Sequence, residues 1–454
     1  MNPLFNPLFS AKIVKHYLTD RKRAWKSEEA IKRYQDKAIR RVIRYAYKVP
    51  LYYEKYKKAG IKPEDVRGIE DLKKLPVVTK EDMINSYPDK ILPKNYKKNK
   101  ISVSTSGSSG KAITIFKDIE CIMIEAIFAL RPLLTYGINW RKDRITNIGD
   151  FSVPRTSDEE CLRKGLMKNL SSFFSLRNYQ NLYAGEEVKN LLEKIEEFSP
   201  KLIIGYPSVL MGLAYLRKKQ GKVSPHYIIS SGEVLDDYSR KYVEEAFNSK
   251  VLNLYATTEG GSIAFECLQK SFHINSDFSY VEILDKNFEE VNEGELGNVV
   301  ITRLHASATP IIRYSGLNDI ASLSSQKCNC GQKTPLLECL GGRRKDAIIL
   351  EGGALIPPAT LPMPFIEVLE RNKGKKLKRY QFIQDRIDRI EIRIEGEDEV
   401  GNDFLEEVKN AYEKFFGGKI KVEVKEKEAE KVGYSYPMVI SKVNIEHEIQ
   451  KSVK

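Results

Sequence analysis

Residues 201–261 read KLIIGYPSVLMGLAYLRKKQGKVSPHYIISSGEVLDDYSRKYVEEAFNSKVLNLYATTEGG and alternate short apolar runs with longer helical stretches. Lys201–Pro207, His226–Ser230 and Val251–Tyr255 are predicted strands, because each is rich in branched or aromatic residues and is bounded by turn residues. The two segments between them have the spacing and length of helices. Strands that alternate with helices indicate an α/β layer architecture with an at least partly parallel sheet.

The chain has 454 residues, of which 41% are hydrophobic. This length is too great for one compact core and predicts two or three folding units. The first hundred residues are helical in pattern and basic, whereas strands are predicted near the C-terminus at Tyr380–Gln384, Arg389–Glu395 and Lys419–Val424, with an amphipathic helix at Asp403–Phe416. We therefore expect a large N-terminal domain, residues 1–342, and a small α+β C-terminal domain, residues 343–454.

The net charge of +13 raises the question of nucleic-acid binding. Lys and Arg are spread along the chain among many acids and no nucleic-acid motif is present, so we expect a basic surface that collects anionic substrates instead. The most apolar stretch, Cys121–Tyr136, is shorter than a membrane span and contains Glu125 and Arg131. The first ten residues lack a signal-peptide pattern, and a cytoplasmic location is expected.

A serine- and glycine-rich stretch, STSGSSGK at Ser104–Lys111, precedes the strand-like Ala112–Phe116. Glycines let a backbone fold tightly around an anion, hydroxyl and N–H groups can bind phosphate oxygens, and a lysine adds positive charge. The spacing of a Walker loop is absent, because Lys111 precedes an alanine. Taken alone, the stretch is either a phosphate-binding loop or a flexible linker.

Three further polar stretches are candidates for a ligand site. Leu254–Gly261 directly follows a strand, where ligands bind in α/β sheets, and the Glu259 carboxylate suits Mg²⁺. Arg313–Asp319 and Gly342–Asp346 each offer an arginine for a phosphate and an aspartate for a ribose diol. The alternative for each stretch is a polar turn or a solvated loop.

In this order and spacing the motifs resemble the adenylate-forming superfamily of acyl-CoA synthetases. More closely, the chain resembles the phenylacetate–CoA ligase-like branch that includes capsule-biosynthesis enzymes. The resemblance covers nearly the whole chain and includes Arg40–Tyr56, Leu75–Asp82, Ser231–Leu235 and Tyr380–Gln384. It implies ATP- and magnesium-dependent activation of a small carboxylic acid as acyl-AMP, transfer to coenzyme A, and a small C-terminal domain that is mobile against the large one.

The resemblance also implies roles for single residues. Thr258 would contact the α-phosphate, Glu259 would ligate Mg²⁺, and Arg343 would contact the nucleotide. Asp346 would be the hinge of the small domain. The residues implied to bind the β- and γ-phosphates are Ser106, Gly107, Ser108, Ser109, Gly110 and Lys111. The residues implied to bind adenine and ribose are Gly232, Glu233, Tyr255, Ala256, Thr257 and Asp319.

One position departs from the family pattern. Members usually have a lysine in a glycine-lysine segment near the C-terminus, which contacts the reacting carboxylate and the α-phosphate. The matching segment here is Gly433–Ile440, and Tyr434 stands at the lysine's position, while Lys431 and Lys442 lie near without fitting the spacing. Loss of a cation aimed at developing charge costs roughly 2.7–4 kcal/mol, by analogy with removal of one oxyanion-hole donor. Slow adenylation, a different cation or an unusual substrate would each be consistent with this change.

A second pattern consists of cysteines and one histidine: Cys267, His273, Cys328 and Cys330. Three thiolates and one imidazole form a good tetrahedral zinc set if the fold brings them together, and four protein ligands make such a zinc structural. The pattern also resembles a zinc-binding feature in part of the phenylacetate–CoA ligase-like branch. The alternative is that cysteines act as small buried hydrophobic residues. We prefer that alternative for Cys121, Cys161 and Cys339.

Three functions remain open at this level. The first is an acid–thiol ligase that forms a coenzyme A thioester. The second is an adenylating enzyme whose acceptor is an amine or a sugar hydroxyl, for instance in cell-surface polysaccharide biosynthesis. The third is a nucleotide-binding scaffold on a decayed enzyme fold, which Tyr434 favours slightly. The presence together of Lys111, Glu259, Asp319 and Arg343 argues against the third.

Overall fold

A computed structural model describes residues 2–105, 112–151, 166, 168–173, 175–305, 308–343, 347–351, 355–356, 358, 361–372, 375–431 and 436–443. None of the helices in these ranges is both long and apolar enough to cross a membrane.

The first hundred residues form the predicted helical region. The Ser27 hydroxyl accepts a hydrogen bond from the Ala30 N–H at the start of the second helix, which ends at Ala46, before Val49-Pro50. Pro50 then starts the third helix at its first position, where a missing N–H costs nothing. The four helices are α1 (Pro7–Asp20), α2 (Glu28–Ala46), α3 (Pro50–Lys58) and α4 (Lys80–Ser86).

Most strands belong to one large sheet. A separate antiparallel hairpin consists of β1 (Lys100–Ser104) and β2 (Thr114–Asp118). The strands of the large sheet are β3 (Ile145–Gly149), β4 (Tyr179–Tyr183), β5 (Leu202–Gly205), β6 (Tyr227–Ser231), β7 (Lys250–Thr257), β8 (Gly261–Glu266), β9 (Phe272–Ile274), β10 (Ser279–Leu284), β11 (Gly297–Arg303), β12 (Asp319–Ser324) and β13 (Leu336–Arg343). They lie in the order β10-β11-β12-β13-β9-β8-β7-β6-β5-β3-β4.

The large sheet has a parallel and an antiparallel half. Strands β4, β3, β5, β6 and β7 are parallel neighbours, and every pairing from β7 to β10 is antiparallel. This arrangement confirms the predicted α/β class. The helices of this region are α5 (Ile119–Thr135), α6 (Lys168–Leu170), α7 (Val188–Phe198), α8 (Pro207–Gln220) and α9 (Asp237–Phe247).

Separate hydrophobic clusters cover the two halves. Leu210 of α8 and Phe247 of α9 pack with Ile203 and Ile228 on the parallel half. Ile39 and Ile43 of α2 belong to the cluster of Ile301 in β11, so the N-terminal helices cover the antiparallel half. The carboxyl ends of the parallel strands are left at one edge of the sheet, where ligands bind in α/β proteins.

The C-terminal residues form a second, smaller mixed sheet. It follows a short hairpin of β14 (Ile348–Ile349) and β15 (Leu355–Ile356). Its strands are β16 (Leu377–Arg386), β17 (Arg389–Gly396), β18 (Lys421–Glu426) and β19 (Val439–Ser441), in the order β18-β17-β16-β19, and its helices are α10 (Pro362–Arg371) and α11 (Asn402–Phe415). The chain leaves the large sheet at Arg343, next to the predicted boundary; the division into two domains and the mobility of the small one stay predictions.

Candidate functional site

The ends of β5 and β6 are held in close contact by a glycine. Gly232 has φ +85°, and a Cβ atom built on it would lie 2.5 Å from Cε1 of Tyr206. Any other residue here would clash with the tyrosine ring and strain the backbone. The Tyr206 ring therefore packs directly against the Gly232 backbone, which brings together the residues that follow β5 and β6.

Glu233 ties the loop after β6 to the start of α8. Its two carboxylate oxygens accept hydrogen bonds from the N–H and the hydroxyl of Ser208, each at 3.0 Å. A carboxylate at a helix N-terminus is stabilised by the unpaired N–H groups and the helix dipole. The Glu233 side chain thus orients the loop, and the adenine contact implied for this residue stays a prediction.

Tyr255 and Asp319 come together although 64 residues separate them. The Tyr255 hydroxyl donates to Oδ2 of Asp319 at 2.6 Å, and both residues are buried. Asp319 begins β12, and its partner across the sheet is Arg343 at the end of β13. The adjacent Gly342 has φ +87°, and a Cβ on it would lie 2.6 Å from the Val234 side chain. The residues implied to hold adenosine therefore lie around one corner of the sheet.

Glu259 lies in the tight turn between β7 and β8 and is buried. The turn is braced on both sides, because the Gly260 N–H donates to the Thr257 hydroxyl at 2.8 Å and the Gly260 carbonyl accepts from Ser279 at 2.9 Å. Burial, followed by the charge of Glu259, raises the pKa of Tyr314 above its usual value. Glu259 is therefore a fixed carboxylate at the sheet edge, with Thr258 half-buried beside it.

The β1–β2 hairpin is anchored close to this turn by buried charges that the sequence analysis missed. Lys117 of β2 donates to Glu125 of α5 at 2.9 Å, and Arg303 of β11 lies 2.8 Å from the other oxygen of that carboxylate. Burial alone would raise the pKa of Glu125, but Lys117 and Arg303 hold that pKa below its usual value. Cγ of Glu125 is 3.6 Å from the position that a Cβ atom would occupy on Gly261. The hairpin thus meets the sheet beside the Glu259 turn.

The four predicted metal ligands meet in one cluster. Their ligand atoms all lie within 4.8 Å of one another, with Sγ of Cys267 and Cys328 3.6 Å apart and Sγ of Cys330 3.2 Å from Nε2 of His273. A zinc–sulfur bond of about 2.3 Å in a tetrahedron requires sulfur atoms roughly 3.8 Å apart. Nδ1 of His273 is 3.3 Å from the Thr334 hydroxyl, a typical outer contact of a metal-bound histidine. The geometry therefore fits tetrahedral zinc.

Several known proteins are similar to this chain over most of its length. It is 24% identical over 408 residues to a phenylacetate–coenzyme A ligase of Thermus thermophilus, covering 83% of this chain and 85% of that protein. It is 24% identical over 386 residues to the protein CapK of Staphylococcus aureus, covering 84% and 81%. A 2-hydroxyisobutyryl-CoA ligase solved in the postadenylation state with an acyl-AMP matches with a TM-score of 0.74 at 18% identity, covering 95% and 94%.

The chain is a distant homologue of the adenylate-forming CoA ligases. No protein-family model matches it, so the assignment depends on these distant homologues and on the fold. The same 2-hydroxyisobutyryl-CoA ligase in the thioesterification state gives a TM-score of 0.58 over the same shares of the two chains. Both comparisons show that this chain and the ligase share a fold.

Several residues implied by the superfamily pattern lie outside the described residues. They are Ser106–Lys111, Tyr434 and Asp346, and only the backbone of Arg343 is described. The loop's ends are defined, since Ser104 and Thr114 are partners in the β1–β2 hairpin and the Thr105 N–H donates to the Ile113 carbonyl at 3.0 Å.

Arg313 has a structural role that the sequence pattern did not predict. Its guanidinium forms an ion pair with buried Glu282 at 2.9 Å and donates to the Leu75 carbonyl at 2.6 Å. The predicted motif Arg313–Asp319 is therefore divided: Arg313 joins the N-terminal region to the sheet, and Asp319 lies at the candidate site.

Arg379 of β16 was also missed. Its guanidinium lies 3.8 Å from the ring centroid of Tyr436, and one of its nitrogens is 3.2 Å from the Cβ position of Gly212 on α8. Lys431 is farther from the same ring, at 5.9 Å, and Lys442 lies 3.8 Å from Glu430. Arg379 is thus a cation between the small sheet and α8, beside the segment in which the superfamily usually has its lysine.

Proposed function

We propose that this chain is an AMP-forming acid–CoA ligase. A carboxylate oxygen attacks the α-phosphorus of ATP, the bond to the β-phosphate breaks, and pyrophosphate leaves. The sulfur of coenzyme A then bonds to the acyl carbon, the bond to AMP breaks, and the thiol proton passes to solvent. The acid is already ionised at neutral pH, so positioning and charge neutralisation carry the first step.

One observation carries the proposal. The Tyr255–Asp319 pair, the Gly232 loop and the Glu259 turn meet at the carboxyl edge of the parallel strands. They do so in a chain whose relatives named phenylacetate–coenzyme A ligase match most of its length.

In this proposal Asp319 accepts the ribose hydroxyls. Its Oδ2 is fixed by Tyr255, and a carboxylate so held needs no reorientation when the diol binds. The backbones of Gly232 and Tyr255–Thr257 flank adenine, Arg343 contacts the nucleotide, and the Ser106–Lys111 loop binds the β- and γ-phosphates.

Glu259 is the proposed ligand of Mg²⁺. A buried carboxylate in a rigid turn has the hard oxygen donors that this ion prefers, and the ion supplies charge neutralisation at the phosphates. Thr258, the next residue along the turn, contacts the α-phosphate.

The acid is proposed to bind between the Tyr206-Pro207 turn, Gly232 and Ala256. The contact of the Tyr206 ring with the Gly232 backbone supplies an apolar wall there. This wall suits an aryl or a medium-length aliphatic acid.

A structural zinc is proposed for the cluster of Cys267, His273, Cys328 and Cys330. Burial lowers the pKa of His273 to about 4, so its imidazole is neutral and able to ligate. The loop with the last two cysteines also contacts the N-terminal region, since the Lys333 N–H donates to the Ala24 carbonyl at 2.7 Å. A metal here would join β8–β9 to that loop and, through it, to the N-terminal helices.

The proposal is tested by comparing Glu259→Gln with Glu193→Gln, an exposed glutamate on α7. We expect Glu259→Gln to lower magnesium-dependent pyrophosphate release by about 100-fold or more, the scale of losing one charge-stabilising group. The control should match the wild type. Equal activity of the two variants would remove Glu259 from the reaction, and formation of hydroxamate without any coenzyme A thioester would indicate a different acceptor.

A further inference from the structure

Exposed large hydrophobic side chains are concentrated at the N-terminus of the described structure. Leu8 is 84% exposed, and Val14 and Leu18 are each 54% exposed. Phe5 is also exposed, and its ring lies 5.3 Å from that of exposed Phe173. An apolar patch of this kind on a water-soluble surface marks an interaction site.

Helix α1 is anchored by its opposite side. Ile13 is buried and packs with Met123 and Ile127 of α5. Leu8, Ala11, Val14 and Leu18 recur at intervals of three or four residues, so they share one face of the helix, which we name the α1 outer face. Ile13 on the inner side attaches α1 to α5, and the α1 outer face takes no part in that contact.

The α1 outer face is bordered by positive charge. Lys15 lies between Ala11 and Leu18 on the same face, and Lys22 follows the helix; both are exposed. Lys12 lies at the border and contacts Glu120. The acid of this segment, Asp20, is buried and paired with Arg23. The patch therefore combines apolar side chains with two lysines, Lys15 and Lys22, that have no acidic partner among the described residues.

We propose that the α1 outer face binds the surface of an anionic lipid bilayer. Leu8, Val14 and Leu18 enter the boundary between headgroups and acyl chains, and Lys15 and Lys22 lie at the lipid phosphates, as in other interfacial helices. With 14 residues, α1 lies in the plane of the surface and does not span it.

Charge decides between a lipid surface and a second copy of the chain. A two-fold interface places the same patch on both sides, which would bring the lysines of the two copies together. Anionic phosphates neutralise those lysines instead. The lipid surface is therefore the occupant that complements both features of the patch.

The test is co-sedimentation of the full chain with vesicles of phosphatidylcholine alone or mixed with phosphatidylglycerol. We expect binding to the mixed vesicles, weaker binding at high salt, and about tenfold or greater loss of affinity in Leu8→Gln/Leu18→Gln. The matched control, Leu268→Gln/Leu296→Gln, changes two exposed leucines elsewhere and should bind like the wild type. Lys15→Gln/Lys22→Gln should lose binding, whereas Lys241→Gln/Lys286→Gln should keep it.

Three results would overturn the proposal. They are no binding to mixed vesicles, equal binding by Leu8→Gln/Leu18→Gln and its control, and equal binding to both vesicle types. Sedimentation velocity without lipid tests whether a second copy of the chain binds this face instead. If the wild type does not bind vesicles but forms a dimer that Leu8→Gln/Leu18→Gln dissociates, the face is a dimer interface. Circular dichroism of each variant shows whether it is folded.

Discussion

The Tyr255 hydroxyl donates a hydrogen bond to Oδ2 of Asp319 at 2.6 Å. Both residues are buried, Tyr255 near the end of β7 and Asp319 at the start of β12. A hydrogen bond to a charged group contributes about 1.5–3 kcal/mol. This pair links two of the three polar stretches that the sequence analysis named as candidates for a ligand site, Leu254–Gly261 and Arg313–Asp319.

Removing the Tyr255 hydroxyl should weaken nucleotide binding more than it slows chemistry. For Tyr255→Phe we expect the Kd of ATP, measured by calorimetry, to rise about tenfold, which corresponds to 1.4 kcal/mol. The turnover number at saturating ATP should change much less. Tyr53→Phe, at an exposed tyrosine, is the control. An unchanged Kd in Tyr255→Phe would mean that Asp319 does not contact the nucleotide.

The buried charges around Glu125 should contribute strongly to stability. Breaking a buried pair by removing one partner costs about 3–5 kcal/mol, so Glu125→Gln should lower the free energy of unfolding in urea by that order at pH 7. Glu186→Gln, which breaks a surface pair with Lys194, should cost under about 1 kcal/mol. Equal losses in the two variants would contradict the structure of this cluster.

The same cluster predicts a pH dependence. Lys117 and Arg303 lower the pKa of Glu125 relative to the unfolded chain, so its contribution is present above the unfolded glutamate pKa. It should be lost as pH falls from about 4.3 towards the lowered value. The difference in unfolding free energy between wild type and Glu125→Gln should therefore shrink on acidification. A difference that grows in acid would show that the pKa is raised.

Metal analysis tests the proposed zinc centre. We expect one zinc per chain by atomic emission, and removal by a chelator should lower the melting temperature. The fluorescence of Trp25, one of only two tryptophans in the chain, should change when the metal is lost. Its ring lies 3.5 Å from the position that a Cβ atom on Gly331, next to Cys330, would occupy. In Cys267→Ser/Cys330→Ser the chelator should have no effect. The zinc centre would be excluded if the purified wild-type protein contained no zinc and the double variant had the same stability as the wild type.

The departure at Tyr434 can be tested by restoring the family residue. Tyr434→Lys should raise the rate of adenylation by about 100- to 1000-fold if the position matches the superfamily lysine, since one such cation contributes roughly 2.7–4 kcal/mol. Ser435→Lys places the same charge one residue away and should leave the rate unchanged. No rise in Tyr434→Lys would mean that this tyrosine does not occupy the lysine's position or that another cation replaces it.

Local patterns predicted three strands of the parallel half, because β5, β6 and β7 are apolar runs separated by regular helices; β3 and β4 were not predicted. The order of the strands from β8 to β13 includes pairings between strands far apart in the sequence, as of β9 with β13, and such pairings follow from tertiary packing that local patterns do not contain. The Cys and His spacing predicted the metal cluster correctly as a set of neighbours. Lys117, Glu125 and Arg303 were missed, because charges on separate strands and helices carry no shared motif.

Hydroxamate trapping tests the central claim most directly. The wild-type chain would be incubated with ATP, Mg²⁺ and hydroxylamine against a panel of aryl, aliphatic and hydroxy acids, followed by coenzyme A in place of hydroxylamine. The account predicts an acid-dependent hydroxamate with matching pyrophosphate release, and a coenzyme A thioester from the same acid. Binding of ATP without hydroxamate from any acid would contradict it and favour a nucleotide-binding scaffold.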